Sequence, residues 1–430
     1  MGQAGPFAPG GYNENQRGST LKVLVLNCGS SSVKFQLVET DEASASSSSD
    51  RALAKGLVEN IGGTAILRYE AEGVPAVKET AEILEHTIAV ERILALLTRP
   101  GSGVIRDRAE IEAVGHRMVH GGEHFKSSVL IDDAVLRAIE ECFDIAPLHN
   151  PPNVKGYRAA RDLMRDAPHV AVFDTAFHQT MEPVAFLYAL PYVLYERHAI
   201  RRYGFHGTSH RFVSRRAAEL LGRVDDPGLR LITCHLGNGC SVAAIRGGRS
   251  VDTSMGFTPL EGLVMGSRSG DLDPAILLYV MAKEELGAGE TNALLNKHSG
   301  LLGVSGLSND MRKLLEAEAA GNERAKLAVD MFCYRLRKYI AAYVGALGGL
   351  DALVFTGGIG ENAAAVRERS VAGLAAMGVA IDPTANAGAR GGEADVSPPG
   401  PGCRVLVVPT NEELLIARDT YRIVRGLPLA

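Results

Sequence analysis

Long apolar runs, paired cysteines and an excess of basic charge are all missing from this sequence. No apolar run is long enough to span a bilayer, and the first residues lack the pattern of a signal peptide, so no membrane partner is expected. The net charge of −5 argues against a nucleic-acid surface. The six cysteines form no CxxC pair, and most lie in apolar runs. We therefore expect reduced, buried thiols and a cytoplasmic setting.

The sequence does contain enough apolar residues for more than one core. Its 430 residues are 46% hydrophobic and 22% charged, which is typical of a globular protein with two or three domains. Residues 1–20 are rich in Gly, Pro, Asn and Gln without periodicity, and are predicted to form a flexible extension. The serine-rich stretch 42–50 is predicted to be a flexible loop.

The stretch 23–38 has two runs of Val and Leu around a turn of Asn, Gly and three Ser, which predicts two strands and a tight hairpin. Gly29 is expected to take a backbone shape that a Cβ would oppose. The serine N–H and hydroxyl groups suit an anion, Lys34 adds positive charge, and Asn27 offers an oxygen to a metal or its water. Taken alone, the stretch is better explained by a surface hairpin with a serine-rich tip.

The same strand–turn–strand pattern returns at residues 229–245, and Gly247-Gly248 turns into a third strand. The match is one of pattern, with little identity. It indicates a duplication, in which two related domains each begin with a phosphate-facing hairpin and hold a nucleotide between them.

Three further segments have the pattern of a ligand site. Asp174 follows an apolar strand, and strand ends are where open α/β sheets bind ligands. The stretch 252–274 is a long, polar, glycine-rich loop, which is typical of a functional segment. The glycine turn 356–362 joins a strand to a helix and could cradle an anion or nucleotide, although many α/β turns carry glycines.

Taken together and in order, such motifs resemble those of the acetate kinase (acetokinase) family over roughly residues 22–425. They are Asn27-Cys-Gly-Ser-Ser-Ser-Val-Lys34, Gly115-His-Arg-Met-Val-His-Gly-Gly122, Ala146-Pro-Leu-His-Asn-Pro151, Phe173-Asp-Thr-Ala-Phe-His178, Tyr203-Gly-Phe-His-Gly-Thr-Ser-His210, His235-Leu-Gly-Asn-Gly239, Gly266-Ser-Arg-Ser-Gly-Asp-Leu-Asp-Pro274, Thr356-Gly-Gly-Ile-Gly-Glu-Asn362 and Thr410-Asn-Glu-Glu-Leu414.

The resemblance implies a fold of the sugar-kinase, heat-shock-70 and actin superfamily. This is an α/β fold of two related domains with duplicated ribonuclease-H-like, actin-like topology and an active-site cleft between them. The N-terminal actin-like ATPase-type domain is predicted to comprise residues 21–178 plus 413–430, and the C-terminal one residues 179–412.

The resemblance also implies reversible, direct in-line phosphoryl transfer from ATP to acetate, giving acetyl phosphate and ADP. The expected metal is Mg²⁺, with Mn²⁺ as an alternative, and the expected assembly is a homodimer. Arg117 is expected to hold the acetate carboxylate and Arg268 the transferring phosphoryl group, because a guanidinium fork matches both. The alternative for either is a surface salt bridge.

His206 is expected to donate to the phosphoryl oxygens, and a structural hydrogen bond is its alternative. Acetate ionises well below neutral pH and needs no general base. Asp174 is therefore expected to orient an arginine or a metal-bound water, although the family describes it as a proton donor or acceptor. Asn27 and Glu412 would bind the metal, directly or through water. A helix N-terminal charge is the alternative for Glu412.

The remaining site residues are expected from the resemblance to bind the nucleotide or to line the acetate methyl group. The apolar wall is expected to consist of Val119, Leu148, Phe205 and Pro259, with plain core packing as the alternative. The ATP-binding residues are expected to be Ser32, Lys34, His235, Leu236, Gly237, Asn238, Gly239, Asp310, Met311, Arg312, Gly358, Ile359, Gly360, Glu361 and Asn362.

Two other functions share parts of this pattern. A propionate or butyrate kinase would use the same chemistry with a larger pocket, and one methylene in an apolar pocket is worth only about 1–3 kcal/mol. An actin-like or chaperone-like ATPase switch would need the phosphate hairpins but not Arg117 or the wall formed by Val119 and Leu148.

Overall fold

The structure is a computed structural model that describes residues 19–47 and 49–429. The strands are β1 (Leu21–Cys28), β2 (Ser32–Thr40), β3 (Arg51–Glu59), β4 (Gly63–Ala71), β5 (Val74–Ile83), β6 (Ala113–Met118), β7 (Val129–Leu130), β8 (His169–Phe173), β9 (Arg230–Leu236), β10 (Cys240–Arg246), β11 (Arg249–Thr253), β12 (Ala352–Thr356), β13 (Ala394–Asp395) and β14 (Arg404–Val407).

The α-helices are α1 (Glu42–Ser47), α2 (His86–Leu97), α3 (Asp133–Glu141), α4 (Asn150–Leu163), α5 (Pro183–Phe186), α6 (Tyr192–His198), α7 (Gly207–Leu220), α8 (Pro274–Lys283), α9 (Ala288–Lys297), α10 (Gly300–Ser305), α11 (Met311–Ala319), α12 (Glu323–Leu347), α13 (Gly357–Asn362), α14 (Ala364–Val371), α15 (Pro383–Gly388) and α16 (Glu412–Val424). Short 3₁₀ helices span Arg108–Glu110, Ala176–Thr180 and Ala375–Met377.

The chain forms two compact units. The first unit runs to Ala176 and includes the C-terminal segment from Asn411, and the second comprises Phe177–Thr410. The boundaries drawn from the sequence, at residues 178 and 412, lie close to these limits. The assignment of functional domains to these segments stays a prediction.

The sheets of the two units share one arrangement of six strands. The first unit's sheet has the order β5-β4-β3-β2-β1-β6-β8-β7, and the second unit's sheet has the order β11-β10-β9-β12-β14-β13. In each unit three antiparallel strands are followed by two parallel strands and a short antiparallel edge strand. The first unit adds β4 and β5. The predicted duplication of an α/β domain is therefore confirmed.

The first unit's sheet is covered on both faces. Alternate residues of β1 pack towards α2 and α4 on one face, and towards α16 on the other. Because both faces are buried, the strand appears in the sequence as a continuous run of Val and Leu.

In the second unit α7 covers one face of the sheet, in a cluster with residues of β9, β10, β12 and β14. The long helix α12 contacts β9, β10 and β11. Thr233 and His235 of β9 and Ser241 of β10 continue the alternation of the residues that face α7.

One local expectation is wrong. Residues 42–47 of the predicted serine-rich loop form helix α1, because the Asp41 carboxylate accepts a hydrogen bond from the Ser44 N–H (2.7 Å), as an N-cap residue does. At Gly29 φ is not positive, but a Cβ there would lie only 3.0 Å from Ser32 Oγ, which is an unusually tight contact. The predicted extension over residues 1–20 lies outside the described residues, apart from Ser19 and Thr20.

None of the helices in the described ranges is long and apolar enough to cross a membrane.

Candidate active site

Polar side chains end three neighbouring strands of the first unit. β1, β6 and β8 are adjacent and parallel, so their carboxyl ends meet at one edge of the sheet. Asn27, Arg117 and Asp174 continue the alternation of the residues that face α16. Since α16 begins at Glu412, a second carboxylate reaches the same edge.

Arg117 is the centre of this first cluster. Its guanidinium donates to both carboxylate oxygens of Asp174, with Nε 3.2 Å from Oδ1, and Nη1 donates to Asn27 Oδ1 over 3.2 Å. Glu412 Oε2 lies 3.7 Å from Arg117 Nε. Asp174 is buried. These contacts hold the guanidinium in a fixed orientation, as the expected role of Asp174 requires.

The charges of the first cluster are unevenly balanced. Burial raises the pKa of Glu412; Arg117 opposes this shift, the nearby carboxylates of Asp174 and Glu413 add to it, and the resulting pKa is about 7. Burial by itself would lower the pKa of Arg117, but the carboxylates of Asp174 and Glu412 outweigh it and raise that pKa. Arg117 is therefore the cation that these carboxylates share.

Lys34 forms an ion pair that was not expected from the sequence. Its Nζ lies 2.8 Å from Glu413 Oε1, and the Lys34 side chain is 56% exposed while that of Glu413 is 8% exposed. Ser32 lies two residues before it at the start of β2. Glu413 is a site residue that the sequence analysis missed, and the available signal was its acidic neighbour Glu412 at a helix N-terminus.

The donor set of the first cluster suits a hard dication. Asn27, Asp174 and Glu412 supply oxygen atoms, which Mg²⁺ prefers, and a cation would offset the repulsion between the Asp174 and Glu412 carboxylates, which adds to the effect of burial on the pKa of Glu412. Residues 19–47 and 49–429 contain no group of three or more His, Cys, Asp or Glu that could hold a metal. The protein would thus provide few ligands itself, which is usual where Mg²⁺ also binds substrate phosphates.

A second cluster, in the second unit, surrounds Gly239. The rings of His206 and His235 lie 4.3 Å apart. The Cβ position at Gly239 is 3.5 Å from His206 Nε2 and 3.4 Å from Arg268 Nη1, so both groups lie within van der Waals contact of this one position. His206 precedes α7 with φ of 56°, a strained conformation for a residue with a side chain.

Arg268 is a partly buried cation at the edge of the second cluster. Its Nη1 donates to the Pro259 carbonyl over 3.1 Å. Within the described part of the chain Arg268 makes no ion pair, and burial lowers the pKa of its guanidinium. A desolvated, uncompensated positive charge favours an incoming anion.

The long loop that carries Arg268 has a fixed shape although it contains neither helix nor strand from residue 254 to 273. Asp271 Oδ1 accepts from the Gly262 N–H over 2.8 Å, and Asp271 Oδ2 accepts from the Tyr339 hydroxyl over 2.6 Å. Arg202 Nη2 donates to Glu261 over 2.6 Å. These contacts fix the loop and so preorganise the guanidinium of Arg268.

The glycine turn after β12 leaves open space beside Gly358, since no atom lies within 4 Å of a Cβ built there. The Glu361 carboxylate accepts hydrogen bonds from the backbone N–H groups of Gly357 (2.9 Å) and Thr410 (3.3 Å), and so stabilises the turn. Asn362 Nδ2 donates to the Gly358 carbonyl over 3.0 Å. Ile359 and Gly360 belong to the same turn.

Other residues expected to bind the nucleotide also lie in the second unit. Asp310 caps α11 and forms an ion pair with Arg312 at 2.8 Å, whereas the Met311 side chain is buried in the unit. Asn309, which the sequence analysis missed, donates to Asn238 Oδ1 over 3.3 Å. Leu236 is the last residue of β9, and Gly237 begins the turn between β9 and β10.

The four residues of the expected apolar wall are divided between the units. Val119 is buried and Leu148 is exposed in the first unit, and Phe205 is buried in the second unit, which also contains Pro259. Core packing remains an alternative explanation for the two buried side chains.

Asn153 is a further residue that the sequence analysis missed. Its Oδ1 accepts from the Val119 N–H (3.0 Å) and its Nδ2 donates to the Cys28 carbonyl (2.6 Å), so it ties the ends of β1 and β6 together. The available signal was the position of this asparagine, two residues after the proline-containing motif 146–151.

The chain is similar to known proteins over nearly its whole length. A model of the acetokinase family matches residues 22–418. Acetate kinase of Desulfitobacterium hafniense is 54% identical over 407 residues, which are 94% of this chain and 100% of that protein.

Two solved structures have similar folds. A crystal structure of Porphyromonas gingivalis acetate kinase matches with a TM-score of 0.88 and 49% identity, covering 94% of this chain and 100% of that one. A propionate kinase from Francisella tularensis matches with a TM-score of 0.86 and 42% identity, covering 95% of this chain and 100% of that one.

Proposed function

Since the chain belongs to the acetokinase family, we propose that it transfers the γ-phosphoryl group of ATP to acetate, reversibly, giving acetyl phosphate and ADP. The observation that carries this proposal is the contrast between the two guanidinium groups. Arg117 is fixed by carboxylates at a strand end, whereas Arg268 is desolvated and has no carboxylate partner among residues 19–47 and 49–429.

The two arginines suit different parts of the reaction. Arg117 holds the acetate carboxylate, and Asp174 orients that guanidinium. Arg268 and His206 stabilise the charge that develops on the equatorial oxygens of the phosphoryl group. Phosphoryl transfer depends mainly on positioning and electrostatics, so no general base is required.

The metal and nucleotide are assigned to the remaining site residues. Asn27 and Glu412 would hold Mg²⁺, or Mn²⁺ in its place, and the ion neutralises phosphate charge when it is bound. Ser32, Lys34 and the turn 235–239 bind the phosphates. Residues 310–312 and the turn 358–362 bind the adenosine, and the open space beside Gly358 supports this assignment.

A propionate kinase is the second candidate, because a protein of that name is 42% identical to this chain. An extra methylene changes binding in an apolar pocket by only about 1–3 kcal/mol. Acetate and propionate are therefore both expected to react, with acetate preferred.

We also propose a cytoplasmic homodimer. All six cysteines are free and buried, as in a reducing compartment. Helix α8 buries none of its residues within the chain, and Leu278 is 73% exposed and Tyr279 65% exposed. Residues 274–282 contain no charge, so two copies of this face can meet without like-charge repulsion.

An assay of acetyl phosphate formation tests the function. The full chain with Mg-ATP should form acyl phosphate from acetate, less efficiently from propionate and least from butyrate. The control omits the carboxylic acid, and ATP turnover should then be near background. Equal ATP turnover with and without acetate would contradict the proposal and favour an ATPase switch.

A further inference from the structure

Three buried residues lie behind His206 in a chain of hydrogen bonds that the proposed reaction leaves unexplained. His206 and His210 are one helical turn apart at the start of α7, and both contact Ser241 of β10. Ser241 Oγ is 2.9 Å from His206 Nδ1 and 2.7 Å from His210 Nε2. At the far end, His210 Nδ1 is 2.7 Å from Thr233 Oγ1. His210, Ser241 and Thr233 are fully buried.

The direction of the chain is set at Thr233. A buried hydroxyl has one proton and is unfavourable if that proton is not donated. Within the described ranges, the hydrogen-bond partner of the Thr233 hydroxyl is His210 Nδ1 alone. Thr233 therefore donates, and Nδ1 of His210 carries no proton.

The positions of the remaining protons follow from the number of hydrogen bonds that each group can donate and accept. Burial lowers the pKa of His210 well below its ordinary value, and the neighbouring His178 and His235 lower it further, so the ring is neutral. Its single proton is then on Nε2, which donates to Ser241. The Ser241 hydroxyl, whose two partners are His206 and His210, donates its own proton to His206 Nδ1.

We propose that Thr233, His210 and Ser241 are positioning residues, which hold neutral His206 as the tautomer with its proton on Nε2. That nitrogen borders the same glycine as Arg268 Nη1, because both lie within 3.5 Å of the Cβ position at Gly239. His206 is thereby fixed as a hydrogen-bond donor beside the guanidinium. The donor role rests on the proposed phosphoryl transfer, whereas the tautomer depends only on the hydrogen bonds.

The tautomer can be measured directly. The full chain, labelled with ¹⁵N-histidine, should show His206 with a protonated Nε2 and an unprotonated Nδ1 at a pH of about 8, where imidazole is neutral. The His206→Gln variant identifies the resonances among those of the 12 histidines. A proton on Nδ1 of His206 would overturn the proposal.

Two variants separate positioning from stability. Ser241→Ala should mix the His206 tautomers and lower kcat about 10- to 100-fold, by analogy with supporting partners of other catalytic groups, while the KM values for ATP and acetate change less than about threefold. Thr233→Val, which is nearly isosteric, should act in the same direction by a smaller factor. The Thr233→Val variant also tests the proposal if Ser241→Ala does not fold.

The matched control is Thr253→Val, in the same sheet. The Thr253 hydroxyl donates to the Val242 carbonyl over 3.1 Å and takes no part in the hydrogen bonds that lead to His206. It should leave both the tautomer and kcat unchanged. An unchanged His206 spectrum in Thr233→Val would refute the proposal. If the wild-type chain forms no acyl phosphate, the proposed function fails, while the ¹⁵N spectra still decide the tautomer.

Discussion

At the scale of single residues, the two arginines differ in what surrounds them. Arg117 is paired with Asp174 and lies near Glu412, whereas Arg268 donates to a backbone carbonyl and makes no ion pair in the described part of the chain. A paired guanidinium has a fixed direction, and an unpaired one retains its full charge for an anionic ligand. We therefore propose that Arg117 positions the substrate and that Arg268 stabilises charge.

We expect Arg268→Ala to lower kcat at least about a hundredfold, the effect of removing a preorganised donor in other enzymes. The KM for ATP should change little, because the contact strengthens mainly in the transition state. Steady-state kinetics of acetyl phosphate formation measure both. Arg268→Lys should recover only part of kcat, since it restores charge without the fork. The control Arg215→Ala, at a half-exposed position of α7, should have normal kinetics, and a near-normal kcat for Arg268→Ala would contradict the assignment.

At the scale of secondary structure, a buried histidine pair joins β6 to β8. His116 Nε2 lies 2.9 Å from His169 Nδ1, and His169 Nε2 lies 3.1 Å from the Met164 carbonyl. Burial lowers the pKa of His116 well below its ordinary value and the neighbouring His169 lowers it further; burial also lowers the pKa of His169. The strands that end in Arg117 and Asp174 are therefore joined by groups that must stay neutral.

Stability should consequently fall in acid. Well above pH 6.5, the ordinary pKa of this group, His116 is neutral in both states and does not make stability depend on pH. As the pH falls through 6.5, His116 binds a proton in the unfolded chain but not in the folded chain, so the free energy of unfolding drops by up to about 1.4 kcal/mol per pH unit for each such histidine.

Urea denaturation between pH 7.5 and about 5 measures this slope. His116→Asn should reduce the slope of the free energy of unfolding relative to wild type. His124→Asn serves as the control, since the His124 side chain is 56% exposed and should leave the slope unchanged. Equal slopes for wild type and His116→Asn would show that the buried pair does not control acid stability.

At the scale of the whole molecule, the proposed site residues are divided between the two units. The six shared strands have the same order in both units, and each unit places polar residues at the carboxyl ends of its central strands. Asn27, Arg117 and Asp174 belong to the first unit, and His206 and Arg268 belong to the second. The proposed function therefore assigns roles to residues of both units.

The exposed helix α8 is the interface that we propose for the homodimer. Replacing Leu278 with Glu puts a charge on each copy of the uncharged face, and we expect the homodimer to dissociate because like charges meet across a two-fold axis. Light scattering after size-exclusion chromatography measures the mass. Leu84→Glu, at a position 60% exposed in the first unit, is the matched control and should remain dimeric. A dimeric Leu278→Glu variant, or a monomeric wild type, would contradict the proposed interface.

The sequence by itself determined the repeated strand–turn–strand pattern, the α/β class and the residues of the motifs. These follow from local chemistry, since strands buried on both faces need continuous apolar runs, and turns need glycine and serine. It failed at residues 42–47, where the side chain of Asp41 caps a helix that serine content alone does not predict.

Only the tertiary structure decided which of those residues meet. Asn27 and Glu412 lie at opposite ends of the sequence, and they come near one guanidinium because α16 returns to cover the face of β1 on which Asn27 lies. The Lys34–Glu413 pair and the contact of Ser241 with two histidines of α7 arise in the same way. The physical reason is that the pairing of strands and the packing of helices fix these distances, and neither is encoded in the local periodicity of the chain.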